Sequence, residues 1–142
     1  MTTQMSTPQP LASPQDAVAE LAALLGIANG DDVALAVLAL DGIEMTGARQ
    51  LAARIGLPID WLDGTTSARL SPADNQRLLG VAQVYLLAER LYGAAAPARD
   101  WMQRAAPYLP GKPPITPLVL ATVAPGARLL AARIARTAHG VY

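Results

Sequence analysis

Residues that could perform acid–base, nucleophilic or metal chemistry are scarce in this chain of 142 residues. It has a single histidine, His139, and no cysteine, which excludes a metal site built on these two ligands. The adjacent carboxylates Asp31 and Asp32 are more simply explained as charges at the start of a helix. No glycine-rich phosphate loop or nucleophile elbow is present. The sequence therefore predicts a binding protein rather than an enzyme, without metal or cofactor.

The charged residues are distributed very unevenly. The formal net charge is zero, with 11 basic and 11 acidic residues. Residues 1–100 hold six arginines and all 11 acids, whereas residues 101–142 hold Lys112, four arginines and no acid. This asymmetry predicts a basic surface in the C-terminal part. That surface would face either an acidic partner or the chain's own acidic half.

The helix predicted over residues 127–138 carries most of this positive charge. At 100° per residue, Arg128, Arg133 and Arg136 spread over about 140° of the side opposite the apolar residues. An ordinary amphipathic helix with solvated arginines gives the same pattern. All three residues are arginine, however, and its planar fork suits carboxylates at an interface. This choice favours a docking surface.

Two neighbouring segments could extend that surface. The sequence His139-Gly140-Val141-Tyr142 follows the helix, with Gly140 placed to cap its C-terminus. This tail either frays or enters a cleft of a partner. Five prolines between residues 107 and 117 predict a stiff, extended path before the helix. That path either connects two helices or presents Lys112 on a backbone that loses little entropy on binding.

The elements that must position these residues are predicted to be helices. The chain is rich in Ala and Leu and shows no strand pattern, which indicates a compact all-α fold. Residues 1–12 are predicted to be disordered, residues 13–68 to form a helical N-terminal subdomain, and residues 69–142 to form a second module. Helices are predicted between Ser13 and Gly26 and over residues 33–40, 46–55, 72–92, 97–105, 117–123 and 127–138, with a helical turn after Pro58 and a break at Pro125-Gly126.

The helix predicted over residues 72–92 has the clearest start. Ser71 is its N-cap, Pro72 is its first residue, and Asp74 stands in the capping-box position. Its surface is apolar almost all the way round, interrupted only by a narrow polar stripe. A helix of this kind is buried between neighbouring helices or subunits. We therefore expect it to be the centre of the fold.

The N-terminal half also contains a degenerate helix-turn-helix pattern. Residues 51–57 resemble the first helix and turn of that motif. Residues 58–66 would be its recognition helix, but they carry two aspartates and no basic residue, and carboxylates repel phosphates. Arg49, Arg54 and Arg69 remain as candidates for contacts to a DNA backbone.

An ordered set of short motifs covers a little over half of the chain. It comprises Arg69-Leu70-Ser71-Pro72, Ala98-Arg99-Asp100-Trp101-Met102, Pro107, Leu109, Gly111-Lys112, Pro114, Gly126-Ala127-Arg128, Arg136 and His139-Gly140-Val141-Tyr142. This set resembles the Xre/MbcA/ParS toxin-binding domain of antitoxins that are paired with RES-type toxins. Thr137 departs from the family pattern, which usually has an aliphatic residue there. The degraded helix-turn-helix departs from it more strongly.

The resemblance implies a function and a partner. RES-type toxins bind NAD and either degrade it or transfer its ADP-ribose, and such antitoxins cover the NAD pocket, often as dimers. The implied toxin contacts are Lys112, Arg128, Arg133, Arg136, His139, Gly140, Val141 and Tyr142. We therefore expect a type II antitoxin that is cytoplasmic, because cysteine is absent and the apolar runs are too short to span a membrane.

Two other functions remain open from the sequence. The first is a DNA-binding autorepressor of the protein's own operon, acting alone or with the toxin. The second is a helical homodimer whose basic face packs on its own acidic half.

Overall fold

The computed structural model describes residues 42–63 and 67–138. The described residues form six helices: α1 Met45–Ile55, α2 Asp60–Asp63, α3 Pro72–Tyr92, α4 Ala95–Met102, α5 Pro117–Leu120 and α6 Ala124–Ala138. This part of the chain contains no strand beyond isolated bridges, so its fold is all-α, as predicted. The disordered segment and the two helices predicted before residue 41 lie outside the described residues.

Helix α3 is the centre of the described structure. Its start is as predicted: the Ser71 hydroxyl accepts a hydrogen bond from the Asp74 N–H at 3.2 Å, and Pro72 lies in the first turn. α3 packs against α1, α4 and α6. Tyr85 and Leu86 in its middle are fully buried. Burial by three neighbouring helices explains why the surface of α3 is apolar almost all the way round.

Several helix ends differ from those predicted. α4 begins at Ala95, two residues before the predicted start at Pro97. Pro97 can lie in the first turn, because the N–H groups of that turn have no carbonyl partner within the helix. α4 and α5 each end three residues earlier than predicted. The predicted break at Pro125-Gly126 is wrong, since α6 begins at Ala124 and includes both residues. Pro125 is tolerated in the first turn of α6 for the same reason as Pro97 in α4.

Two glycines allow the end of α5 to lie very close to α3 and α6. Gly80 of α3 faces the carbonyl oxygen of Ala121, and Gly126 of α6 faces that of Leu120. A Cβ atom on either glycine would overlap the oxygen opposite it. The backbone at residues 120–121 therefore contacts both helices at a separation that only glycine permits.

The chain before α1 is tied to the chain before α3. The Leu70 N–H donates to the Ile43 carbonyl at 2.9 Å, and the Met45 N–H donates to the Ala68 carbonyl at 2.8 Å. The fully buried Asn75 of α3 adds a third bond, because its Oδ1 accepts from the Ile43 N–H at 2.9 Å. Buried residues from α1 to α6 form one hydrophobic cluster. The boundary predicted between two modules in this region stays a prediction.

Candidate partner-binding surface

Helix α6 presents three arginines to solvent. It buries Leu130 and Ile134 in the core, whereas Arg128, Arg133 and Arg136 are exposed. At a rise of 1.5 Å per residue, these arginines extend over about 12 Å of the helix axis. The fold therefore places the three side chains on the outer side of α6, along two turns of the helix.

None of these arginines has a carboxylate within ion-pair distance among the described residues. The ion pairs found there involve other arginines: Arg54–Glu89, Arg69–Glu44, Arg77–Asp74 and Arg104–Asp100. Lys112 is likewise exposed and forms none of these pairs. We call Lys112, Arg128, Arg133 and Arg136 the basic surface. Its positive charge is not compensated by the described part of the chain.

The proline-rich segment before α5 is a closed loop rather than the extended path that its prolines predict. Ala106 and Ile115 exchange two backbone hydrogen bonds, at 3.1 and 3.0 Å, across the base of the loop. Proline cannot donate to such a pair, and neither of these two residues is proline. The bonds hold residues 107–114 together as one unit, which we call the proline loop.

The tip of the proline loop is a tight turn that carries Lys112. The Lys112 N–H donates to the Leu109 carbonyl at 3.2 Å, across Pro110 and Gly111. Gly111 has a φ of 73°, and the order Pro-Gly is that of a type II turn. The turn therefore fixes the backbone from which Lys112 projects.

Replacing Gly111 by alanine is expected to lower the free energy of unfolding by about 1 kcal/mol, measured by urea denaturation. A Cβ at this position meets nothing within 4 Å, so the whole cost arises from the positive φ. Gly111→Asn is the matched control, because asparagine adopts the left-handed region more readily. It should lose less than the alanine variant. A loss as large for asparagine as for alanine would contradict this explanation.

A cleft of about 170 Å³ lies where α6, the end of α3, α4 and the proline loop meet. Its lining comprises Ala88, Leu91, Tyr92, Trp101, Tyr108, Arg133, Ile134 and Thr137. The guanidinium carbon of Arg133 lies 5.1 Å from the centre of the Tyr108 ring, within cation–π range. Burial raises the pKa of Tyr108, and Arg133 partly offsets that effect. We call this site the aromatic cleft, and it joins the proline loop to the basic surface.

The arginines predicted to contact a DNA backbone lie outside the basic surface, and all three take part in interactions within the protein. Arg49 is exposed on α1. Arg54 donates two hydrogen bonds to Glu89, at 2.9 and 2.5 Å. Arg69 pairs with Glu44 at 3.3 Å. In the segment predicted as the recognition helix, the described residues form only the short helix α2, which has an aspartate at each end. The role of these three arginines in DNA binding stays a prediction.

A polar network that the sequence analysis missed joins α1, α3 and α4. Glu89 lies at its centre and accepts hydrogen bonds from Arg54 and, at 2.7 Å, from the Tyr85 hydroxyl. The Nε of Arg99 donates to the Ile55 carbonyl at 2.7 Å, which caps the end of α1. The bond from Arg54 lowers the pKa of Glu89, whereas burial raises the pKa of Tyr85. Only the spacing of four between Tyr85 and Glu89 was visible in the sequence.

The predicted tail His139-Gly140-Val141-Tyr142 lies outside the described residues, so its role stays a prediction. Within residues 42–63 and 67–138, no three His, Cys, Asp or Glu side chains are grouped as a metal site. No helix in the described ranges is long and apolar enough to cross a membrane.

The chain matches no protein-family model, and no curated protein is found to be similar to it. In its described part, the protein is all-α and combines an uncompensated basic surface with an adjoining aromatic cleft.

Proposed function

We propose that the protein is a type II antitoxin that binds a RES-type toxin through its basic surface and covers the toxin's NAD pocket. The observation that carries the proposal is the set of exposed α6 arginines, which have no carboxylate within ion-pair distance among the described residues. The resemblance of residues 69–142 to the Xre/MbcA/ParS domain supports the choice of partner. The protein acts by occlusion in the cytoplasm, as a homodimer within the complex, and performs no catalysis.

The strength of such binding depends on how much water the partner removes from the arginines. An ion pair that stays exposed contributes only about 0.2–1 kcal/mol, so three contacts at a wet rim would not hold a toxin. Arginines in the dry centre of an interface contribute more, because their planar forks bind carboxylates in a bidentate way. The same charges also speed association, and salt weakens that attraction. We therefore propose a desolvated contact and an association rate that falls with ionic strength.

Neutralising the α6 arginines tests the proposal. The triple variant R128Q/R133Q/R136Q is expected to bind the RES-type toxin encoded beside this protein about 30-fold more weakly. Cells that express both proteins should then lose protection. Binding is measured by calorimetry at two salt concentrations, and protection is measured as growth during toxin expression. The variant should also show a smaller salt dependence than the unmodified protein.

A control with the same change in net charge separates the basic surface from charge in general. Arg69, Arg77 and Arg104 are also exposed, but each pairs with a carboxylate in the fold. The variant R69Q/R77Q/R104Q should therefore bind the toxin within about threefold of the unmodified protein. Equal losses in the two triple variants would contradict the proposal, as would the absence of a RES-type toxin gene next to this one.

The alternative of a DNA-binding autorepressor relies on Arg49, Arg54 and Arg69. Arg54 and Arg69 are already bound to carboxylates of the fold, which makes them weaker contacts for phosphate. A repressor would bind its operator with an affinity that falls steeply with salt. Tight, salt-sensitive binding of the protein alone in a gel shift would favour this alternative over the antitoxin.

A further inference from the structure

The aromatic cleft has the features of a receptor for a single side chain. Its walls are the rings of Tyr92, Trp101 and Tyr108, and its rim includes Arg133 and Thr137. Tyr92 is one of the few large apolar residues in the described structure that stay well exposed, with 45% of its surface open to solvent. A ring left this open beside two others is an apolar surface that a bound group would cover.

The volume of the cleft limits what it can hold. Pockets for cofactors and drug-sized ligands enclose about 300–1,000 Å³. The cleft measures about 170 Å³, which is well below that range. A dinucleotide does not fit this space, whereas one large side chain does. A side chain of a protein that docks on the adjoining basic surface would have a suitable size.

The geometry of Arg133 indicates the charge of that molecule. Its guanidinium carbon lies over the Tyr108 ring, 5.1 Å from the centre of that ring. The N–H donors lie in the guanidinium plane, and no acceptor for them is found among the described residues. An arginine fork without an acceptor in the described fold is available to bind a carboxylate through two hydrogen bonds. Its other neighbours in the cleft are neutral, so nothing there compensates its charge.

We propose that the aromatic cleft binds one aromatic side chain of the partner, and that Arg133 binds a carboxylate next to that side chain in the partner's sequence. The partner is therefore a protein with an exposed acidic segment that contains an aromatic residue. This inference rests on the proposed function for the identity of the partner. It adds that Arg133 contributes most of the binding energy of the basic surface through a direct contact with the partner's carboxylate. Arg128 contributes only through its positive charge.

Two single variants that remove the same charge test this assignment against the toxin. R133Q is expected to weaken toxin binding about tenfold, and R128Q only about twofold to threefold, both measured by calorimetry. Equal losses would overturn the anchor role while leaving the antitoxin proposal intact. No loss in R128Q, R133Q or the triple variant R128Q/R133Q/R136Q would overturn both. The pair of variants therefore distinguishes failure of this inference from failure of the proposed function.

Filling the cleft without changing charge tests the aromatic part of the proposal. Thr137 is exposed at the rim, so substitution there should not disturb the core. T137W is expected to weaken toxin binding about tenfold by occupying the cleft, whereas T137S should bind within about twofold. Unfolding curves that match the unmodified protein would show that both variants fold. Undiminished binding by folded T137W would overturn the proposal.

Short peptides test the cleft without any toxin. The probes are the capped tripeptide Glu-Phe-Glu and two controls, Glu-Ala-Glu and Gln-Phe-Gln, titrated into the full chain. The readout is the NMR shift of the Trp101 indole N–H. Glu-Phe-Glu should bind weakly, with a Kd on the order of 1 mM, and at least tenfold more tightly than either control. Equal shifts with all three peptides, or none with Glu-Phe-Glu, would overturn the proposal.

Discussion

Replacing Gly126 by alanine is expected to lower the free energy of unfolding by about 3 kcal/mol. The added Cβ would overlap the carbonyl oxygen of Leu120 and crowd the Leu120 side chain, and backbone cannot move aside as a flexible side chain does. Alanine is the better helix former by about 1 kcal/mol, so a loss would mean that the overlap outweighs this gain. Urea denaturation at constant temperature measures the change.

Two further variants show whether crowding is the cause. Gly80→Ala should lose stability similarly, because its Cβ would overlap the Ala121 carbonyl oxygen from the other side. Ala132→Ser is the matched control, since it adds one heavy atom to the exposed side of the same helix as Gly126. It should change stability by less than about 0.5 kcal/mol. A gain in stability for Gly126→Ala would contradict the close packing of α5 against α6.

Glu89→Gln is expected to cost about 2–3 kcal/mol of folding stability. The substitution keeps the shape of the side chain but removes the charge that binds Arg54 through two hydrogen bonds and accepts from Tyr85. Breaking a fully buried pair costs about 3–5 kcal/mol. The value here should be smaller, because the Arg54 and Glu89 side chains are 32% and 20% exposed. Chemical denaturation at pH 7 measures the loss.

The pH dependence of stability gives an independent check on Glu89. Arg54 holds the pKa of Glu89 below its ordinary value of 4.5 in the folded protein. Well above pH 4.5, the carboxylate is ionised in both the folded and unfolded states, so its contribution to stability is complete. As the pH falls below 4.5 and through the folded pKa, this contribution is lost. The stability of Glu89→Gln should therefore fall less steeply between pH 5 and pH 3 than the stability of the unmodified protein.

A different ion pair provides the control for this prediction. Arg104 and Asp100 pair within α4, but their side chains are 66% and 65% exposed. Asp100→Asn should therefore change stability by less than about 0.5 kcal/mol at pH 7. A cost as large as that of Glu89→Gln would mean that loss of charge, rather than the network between helices, explains both results.

The network around Glu89 also bears on the binding surface. Arg99 links α4 to the end of α1, and two residues later the same short helix carries Trp101 into the aromatic cleft. A helix of eight residues is marginal by itself and depends on such contacts. The position of the cleft wall is therefore supported by contacts on the opposite side of α4.

Local patterns predicted much of the helical framework. The Ser71-Pro72 start of α3 was readable because a cap and the first turn depend on neighbours in sequence. The outward direction of Arg128, Arg133 and Arg136 was readable because helical periodicity separates them from the buried Leu130 and Ile134. The same local rules failed at Pro125-Gly126, which were interpreted as a break because proline and glycine usually punctuate helices.

What the sequence determined by itself is the all-α class, the central helix and the concentration of positive charge on the last helix. These properties depend on composition and on spacings within one turn or two. Only the tertiary structure decided that Gly126 packs against backbone, that Arg54 and Arg99 belong to one network, and that Tyr108 meets Arg133. Each of these contacts joins residues of different helices or loops, and the local sequence around one residue does not indicate its partner. They arise because packing brings separate helices together, and no local pattern encodes that geometry.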